Sequence, residues 1–318
     1  MSITKRHHYI PEFFIKGFVG DDNMVSVFNK ETGKMDNIRK SPKQVFFEWN
    51  RNTFKIDGED NDFVEKLYQF GETKFSETYR KITTKEETSD FNAFEKLHLM
   101  YFISELHWRV PNQDKEFLEY IKNLKIKDSI LQIRKTNSEE IVTEEFFSEL
   151  IKNPPISETF KIIKAMKDFE EIGKEVKIEN WKLYYVGKNF PQLNLLSDNP
   201  VIVRNSESNI LKSELIFPLS KGKTIYHTNG KTLEEIPAEN RMRVDVLAFL
   251  QANKFVCGPK AEYLLCASAT MVQTVKSRNR MSVASRPAAR STTITPTLVP
   301  APEAAAPRHC SPNCHQPD

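Results

Sequence analysis

Two adjacent histidines near the start of the chain are the residues best suited to chemistry. His7 and His8 follow the basic residues Lys5 and Arg6 and precede a cluster of aromatic and aliphatic side chains in residues 9–18. A segment this short can bury its Phe and Ile side chains only if later parts of the chain pack over it. We therefore expect the histidines to lie in a crevice, where an imidazole can act as a general base.

The spacing of the two histidines limits what they can do together. Neighbouring side chains point to opposite faces of a strand and lie about 100° apart on a helix, so one metal ion would not readily bind both. We expect one histidine to face the site. His8 is the predicted general base, and His7 is predicted to assist it.

Two residues from later in the chain complete the predicted site. Asp198, in a Ser-Asp-Asn-Pro turn, is expected to orient an imidazole, and Arg109, at the end of an apolar helix, is expected to stabilise negative charge. A base, a carboxylate and a guanidinium are what phosphodiester cleavage or the binding of an anionic ligand requires. Further predicted binding residues are Lys5, Arg6, Lys16 and Asn199, and the reserve carboxylates for a divalent metal cofactor, should one take part, are Glu48 and Glu65.

Each of these residues also has a purely structural interpretation. An imidazole beside Tyr and Pro is often a hydrogen-bonded structural group. Arg109 could pair with Glu105 one helical turn earlier, an interaction worth about 0.2–0.5 kcal/mol. Asp198 is suited to an Asx-type turn before Asn-Pro. The three tryptophans are expected in the core rather than as stacking platforms for bases; they are Trp49, Trp108 and Trp181.

Composition limits the class of protein. With 318 residues, 39% of them hydrophobic and 11% aromatic, the chain can bury a sizeable core. Its 46 Lys and Arg against 43 Asp and Glu give a formal charge of +3, which lacks the basic bias of a dedicated duplex-binding domain. Nucleic acid or another phosphate-bearing ligand stays open as a partner. Because no long apolar run is present, we expect a cytoplasmic protein without a membrane partner.

Periodicity predicts the elements that position these residues. Alternation on either side of Gly33 predicts an N-terminal β-hairpin. Short β-rich segments between residues 181 and 227 predict an antiparallel sheet, and a closing helix is expected at about 237–254. Apolar residues at helical spacing predict helices over residues 62–82, 89–109, 114–134, 143–152 and 157–173.

The predicted fold class is therefore α+β, with a hairpin segment, a helical middle, an antiparallel sheet and a closing helix. We expect one domain over residues 1–266, which can be read as a mostly helical lobe, 1–175, and a lobe of sheet plus helix, 176–266. From residue 267 to 318 Ala, Ser, Thr and Pro dominate, which predicts a disordered tail. Its Arg- and Ala-rich composition differs from the Lys- and Ile-rich body, so we interpret it as foreign sequence.

Four segments, taken in order, resemble the bacterial family called domain of unknown function 4238 over about residues 5–260. The family's name records no activity, so the resemblance implies kinship and not a reaction. Val110 stands where the family's Arg-Thr-Pro would place Thr, and the family's final segment is expected to be cut short near Glu262. The segments are residues 7–18, 27–34 with 41–43, 109–111, and 197–200 with 217–220.

Three functions remain open from the sequence. The first is a phosphodiester hydrolase, such as a nuclease-like toxin or defence effector, which uses His8, His7, Asp198 and Arg109. The second is a non-catalytic module that holds an anionic ligand or a nucleic-acid end in the same crevice. The third is a purely structural role for these side chains.

Overall fold

The computed structural model describes residues 5–56, 58–85, 92–130, 133–134, 140–172, 177–185, 193–203, 209–228, 230–231 and 243–284. The chain divides into a compact unit, Met1–Val275, and a second unit, Lys276–Asp318. The described part of the second unit is the end of the last helix. Helices and antiparallel strands both contribute, so the fold class is α+β as predicted.

The strands and helices follow one another along the chain in this way. The strands are β1 (Arg6–His8), β2 (Ser26–Asn29), β3 (Lys34–Met35), β4 (Phe47–Trp49), β5 (Phe54–Ile56), β6 (Glu59–Asn61), β7 (Trp181–Tyr185), β8 (Leu196–Ser197), β9 (Ile202–Val203), β10 (Leu215–Ser220), β11 (Lys223–His227) and β12 (Phe255–Gly258). The helices are α1 (Glu12–Ile15), α2 (Phe63–Thr84), α3 (Ala93–Arg109), α4 (Asp114–Lys122), α5 (Glu144–Leu150), α6 (Pro154–Glu171), α7 (Val244–Gln251) and α8 (Ala261–Ala284).

The predicted hairpin and the helical middle are confirmed. β2 and β3 pair around Gly33, which adopts a φ of +66° that suits glycine. α3 ends at Arg109, and Val110 before Pro111 is extended, as expected from the restriction that proline places on the preceding residue. The helix expected to reach residue 134 ends instead at Lys122, where α4 gives way to irregular chain and a short 3-10 turn, Ile126–Asp128.

The strands of the predicted antiparallel sheet fall into two sheets. One sheet has the order β7-β11-β10-β9, and all its pairs are antiparallel. β8 leaves this group and joins the N-terminal hairpin in a second sheet of order β3-β2-β12-β8. Strands from the start and the end of the compact unit therefore pair directly with each other.

A cluster of aromatic rings holds the N-terminal segment in place. Phe14 of α1 is fully buried and stacks on Phe217 of β10, with ring centres 5.2 Å apart. On the other side, Phe102 of α3 stacks on Phe75 of α2 at 4.0 Å. Burial of each such side chain stabilises the fold by roughly 1.5–3 kcal/mol. The expectation that later chain packs over this segment is confirmed.

The C-terminal boundary differs from the prediction. Residues 267–284, expected to be disordered, continue α8. Leu264 and Ala267 are fully buried against the cluster that includes Phe249 and Val256, and this contact anchors the helix. The small residues of this stretch have the composition of a low-complexity tail, and for that reason the sequence predicts disorder where the chain is helical. The rest of the predicted tail, 285–318, lies outside the described residues.

The predicted closing helix is present as α7, which begins at Val244; residues 232–242 lie outside the described part of the chain. Within that described part, no helix combines the length and the apolar character needed to cross a bilayer.

Candidate functional site

A cleft of about 600 Å³ separates the N-terminal segment from one face of α2. The residues contributed by α2 are spaced so that they lie on a single side of the helix. The cleft is lined by Arg6, His8, Glu12, Phe13, Lys16 and Lys43 on one wall and by Glu65, Gln69, Glu72, Thr73 and Ser76 of α2 on the other.

Strand alternation in β1 sends the two histidines to opposite sides. His7 is fully buried, and its Nδ1 accepts a 2.8 Å hydrogen bond from the backbone N–H of Asn52, so this nitrogen carries no proton. His8 points the other way and lines the cleft. One histidine thus faces the cleft, and it is the one predicted to act as the base. His7 is a structural group, so the assisting role predicted for it does not fit its position.

The imidazole of His8 is held in a polar but partly dehydrated position. Its side chain is 12% exposed, its Nδ1 lies 4.0 Å from Oε1 of Glu12, and its buried Nε2 has no hydrogen-bond partner among the described residues. Burial lowers the pKa of His8 below its ordinary 6.5; Glu12 opposes this shift and Arg109 adds to it. The ring is therefore neutral near pH 7, the state that a general base requires.

Arg109 lies beneath the cleft and not in its wall. The guanidinium is 2% exposed; Nη2 donates to the backbone oxygen of His8 at 2.6 Å and Nη1 pairs with Glu72 at 2.7 Å. Its face covers the ring of Tyr68 at 4.2 Å. The predicted pairing with Glu105 is replaced by the pair with Glu72. Arg109 is therefore a positioning residue for His8, which corrects the prediction that it stabilises substrate charge directly.

Asp198 belongs to a different part of the surface. Its carboxylate accepts three backbone hydrogen bonds, from the N–H groups of Asn253 at 2.8 Å, Lys254 at 2.6 Å and Phe255 at 2.8 Å. It lines a separate cleft of about 270 Å³. Asp198 and His8 thus line different clefts, and both carboxylate oxygens of Asp198 are engaged by the backbone of residues 253–255. The geometry supports a structural role for Asp198, but its bonds run to residues 253–255 and not to the Asx-type turn that the sequence suggested.

The other predicted residues divide between the two clefts. Arg6, Lys16 and Glu65 line the cleft of His8, whereas Glu48 lines the cleft of Asp198. Glu48 pairs with Arg51 at 2.7 Å. These placements leave Glu65 as the reserve carboxylate nearest to the predicted base.

Two predicted binding residues do not line the cleft of His8. Asn199 is 1% exposed, and its side-chain amide donates to the backbone oxygen of Gln251 at 3.4 Å. Lys5 is exposed and directly precedes β1. The predicted metal has no preformed site in the described ranges, where no three His, Cys, Asp or Glu side chains converge as ligands. Glu65 is only 5% exposed and accepts a 2.9 Å hydrogen bond from Asn52.

Several residues of the cleft were missed by sequence reasoning. Glu12 lies four residues after His8, and the polar positions 65, 69, 72, 73 and 76 form a helical stripe; both signals are visible in the sequence.

Trp49, expected in the core, is 62% exposed. Trp108 and Trp181 are buried as predicted.

The exposed Trp49 forms part of a small aromatic surface beside the cleft. The guanidinium of Arg6 lies over the ring of Phe47 at 4.5 Å and over the ring of Trp49 at 5.1 Å. Arg6 also donates to the backbone oxygen of Lys43 at 3.1 Å, which fixes its position at the edge of the cleft. The arrangement places a flat aromatic face next to the cations of the cleft.

Comparison with known proteins identifies the family. No curated protein and no solved structure matches the chain. Residues 6–279 match the family described as "Protein of unknown function (DUF4238)". The match runs past Glu262, so the expectation of a final segment cut short there is wrong; it also includes the first part of the predicted tail. Because this match covers most of the 318 residues, the chain belongs to the DUF4238 family.

Proposed function

We propose that this protein is a hydrolase that cleaves phosphodiesters in single-stranded nucleic acid, with His8 as the general base. The observation that carries the proposal is the position of His8: an imidazole that is neutral near pH 7 and lines a cleft that also holds basic side chains. Nε2 is buried and has no partner among the described residues, so it can take a proton from an attacking hydroxyl or water once substrate binding opens a path to it.

Glu12 supports this role from the other side of the ring. Its Oε1 lies 4.0 Å from Nδ1 of His8. A small movement would let Glu12 accept the Nδ1 proton, which would hold the ring in the tautomer whose Nε2 is unprotonated. Catalytic hydrogen bonds are often long before substrate binds and shorten in the complex. Glu12 thus takes the orienting role that the sequence assigned to Asp198.

Three cations in the cleft provide the phosphate contacts. Arg6, Lys16 and Lys43 lie on the same wall as His8, which places positive charge near the proposed base. Hydrogen bonds from Arg and Lys to phosphate are strong, and they contribute to affinity whatever the base sequence of the nucleic acid. The carboxylates on the opposite wall keep the cleft from being a uniformly basic groove, which agrees with the formal charge of only +3.

The exposed aromatic surface favours a single strand. Trp49 presents an exposed ring next to Arg6, at the edge of the cleft. Unpaired bases stack on such rings, with about 1–3 kcal/mol lost per base when the ring is removed. In a duplex the base faces are covered by their neighbours, so a stacking platform of this kind suits single-stranded RNA or DNA.

The test compares turnover with binding. Purified protein is incubated with labelled single-stranded RNA and DNA, with and without Mg²⁺ or Mn²⁺, and binding is measured by fluorescence anisotropy. We expect cleavage that His8→Ala abolishes while affinity stays within about threefold, because the base acts in the reaction and not in binding. Lys122→Ala, which removes an exposed cation outside the cleft, is the matched control and should leave both quantities unchanged.

A non-catalytic module is the second candidate. At 4.0 Å Glu12 makes no hydrogen bond to His8, whereas the cations Arg6, Lys16 and Lys43 could hold an anionic ligand without any reaction. Binding that Lys16→Ala weakens, without turnover on any substrate, would support the module and contradict the hydrolase. If the protein shows neither binding nor turnover, both proposals are contradicted and only the purely structural role is left.

A further inference from the structure

A second cavity, independent of the cleft of His8, lies between α2, α3 and α6. It has a volume of about 430 Å³, within the range of small-molecule sites. Aromatic rings from all three helices form its walls, among them Phe70, Phe75, Tyr101 and Phe169. Several apolar side chains on these helices remain exposed, including Phe70 at 66% and Met166 at 44%.

One acidic side chain faces this apolar space. Glu105 is 6% exposed and lines the cavity. The nearby guanidinium of Arg109 directs its two Nη atoms to Glu72 and to the backbone oxygen of His8, so Glu105 keeps a hydrogen bond from the Tyr101 hydroxyl but pairs directly with no cation among the described residues. A carboxylate in an apolar site is stabilised by a cation brought to it.

A glycine keeps the space above this carboxylate open. Gly71 lies inside α2, where glycine is destabilising relative to alanine. A Cβ at this position would lie 3.3 Å from Oε2 of Glu105, closer than most side chains approach. The absence of a side chain at Gly71, which itself lines the cavity, therefore leaves Glu105 accessible from the cavity.

The aromatic wall already carries an ammonium group. Nζ of Lys74 lies 4.4 Å from the centre of the Phe70 ring. Aromatic faces attract cations, and the attraction grows where the cation is partly dehydrated. The aromatic rings that line the cavity can thus contact both the charged head and the apolar body of an amine.

We infer that this cavity binds a small hydrophobic ammonium compound, whose charge pairs with Glu105 and whose apolar body packs against the rings of α2, α3 and α6. An anionic ligand would be repelled by the Glu105 carboxylate, and the cation of the lining, Lys74, lies over the Phe70 ring. A neutral ligand would gain only the apolar contacts.

The charge state of Glu105 gives the proposal a pH signature. Burial raises the pKa of Glu105 to about 7, while Arg109 and Tyr101 lower it and Glu72 raises it further. Of the residues from α6 that line the cavity, none is ionisable; they are Ile162, Met166 and Phe169. The other ionisable groups of the lining are Lys74 and His98. Ammonium binding should therefore tighten as the pH rises through 7.

The experiment uses the full chain and three probes of similar shape: 2-phenylethylammonium, 3-phenylpropan-1-ol and 3-phenylpropionate. We expect calorimetry at pH 8 to show the ammonium binding at least about tenfold more tightly than the alcohol, because only the ammonium pairs with the carboxylate. Glu105→Gln should abolish this preference and leave the alcohol unchanged. Glu119→Gln, an exposed carboxylate on α4, is the matched control and should bind as the wild type does.

Two results would overturn the inference. One is equal binding of the ammonium and the alcohol by the wild type at pH 8. The other is a preference for the ammonium that Glu105→Gln retains, with the same increase between pH 6 and pH 8. Should the variant fail to fold, the wild-type pH series alone decides, because a Glu105 pair requires affinity to rise with pH. None of these outcomes depends on the activity of the His8 cleft.

Discussion

The guanidinium of Arg109 donates a 2.6 Å hydrogen bond to the backbone carbonyl of His8. These residues are 101 positions apart, and the bond joins the end of α3 to β1, the strand that carries the proposed base. Glu72 of α2 completes the junction through its ion pair with Arg109. Three elements thus meet at one buried guanidinium, and the position of His8 depends on it.

Loss of this guanidinium should destabilise the fold. Arg109→Met leaves the Glu72 carboxylate and the His8 carbonyl without their partner, and removal of one member of a buried ion pair typically costs about 3–5 kcal/mol. Urea unfolding followed by circular dichroism measures the change. Arg6→Met, which removes a guanidinium at the edge of the cleft, should cost less than about 1 kcal/mol. Equal losses in the two variants would contradict the positioning role.

The two histidines should behave differently on substitution. His7→Ala removes a buried ring and leaves the N–H of Asn52 without its acceptor, so the free energy of unfolding should fall by about 2–4 kcal/mol. His8→Ala removes a ring at the cleft wall whose Nε2 has no partner, and should cost about 1 kcal/mol or less. Thermal or urea unfolding of both variants gives the comparison, and a larger loss for His8→Ala would reverse the assignment.

Much of the fold could be predicted because it rests on local periodicity. The alternation on either side of Gly33 predicts the β2-β3 hairpin, and the apolar density of residues 93–109 predicts the buried α3. The pairing of β2 with β12 could not be predicted, since it joins residues that are more than 200 positions apart and no local pattern encodes the partner. For the same reason the sequence does not predict that β8 pairs with β12 and not with the strands of the β7-β11-β10-β9 sheet.

The site could be predicted only in part, for a related reason. Strand alternation predicts that one of His7 and His8 faces a cleft, but not which acid stands beside it. Asp198 has the right chemistry, yet its oxygens are engaged by backbone N–H groups of residues 253–255, a contact that the sequence does not show. The sequence does not single out Glu12, because a carboxylate four residues from a histidine is typical of a surface pair.

Asp198 should prove to be a structural residue. Asp198→Ala leaves three backbone N–H groups without their acceptor, and we expect the free energy of unfolding to fall by at least about 3 kcal/mol. Asp198→Asn retains one side-chain oxygen as an acceptor and should lose less. Stability from urea unfolding is measured beside any nucleic-acid cleavage. If Asp198→Asn folds with full stability and yet loses all turnover, an orienting role for Asp198 would have to be restored.

Trp49 should contribute to binding and not to stability. Because its ring is 62% exposed, Trp49→Ala should change the free energy of unfolding by less than about 0.5 kcal/mol. Affinity for single-stranded oligonucleotides should fall by about tenfold, as expected when one base loses its stacking partner. Phe146→Ala, an exposed ring on α5, is the control and should leave affinity unchanged. Unchanged affinity in Trp49→Ala would remove the argument for a single strand.

Glu105 should make stability fall as the pH rises. Burial raises the pKa of this carboxyl from 4.5 to about 7, so the folded chain holds a proton that the unfolded chain has already released. The stabilisation is complete below pH 4.5 and is lost as the pH passes through 7, a loss on the order of 3 kcal/mol. Glu105→Gln lacks this proton equilibrium. The difference in unfolding free energy between variant and wild type, measured in urea from pH 5 to pH 8, should therefore shift in favour of the variant as the pH rises. Parallel curves would show that the carboxyl ionises with its ordinary pKa.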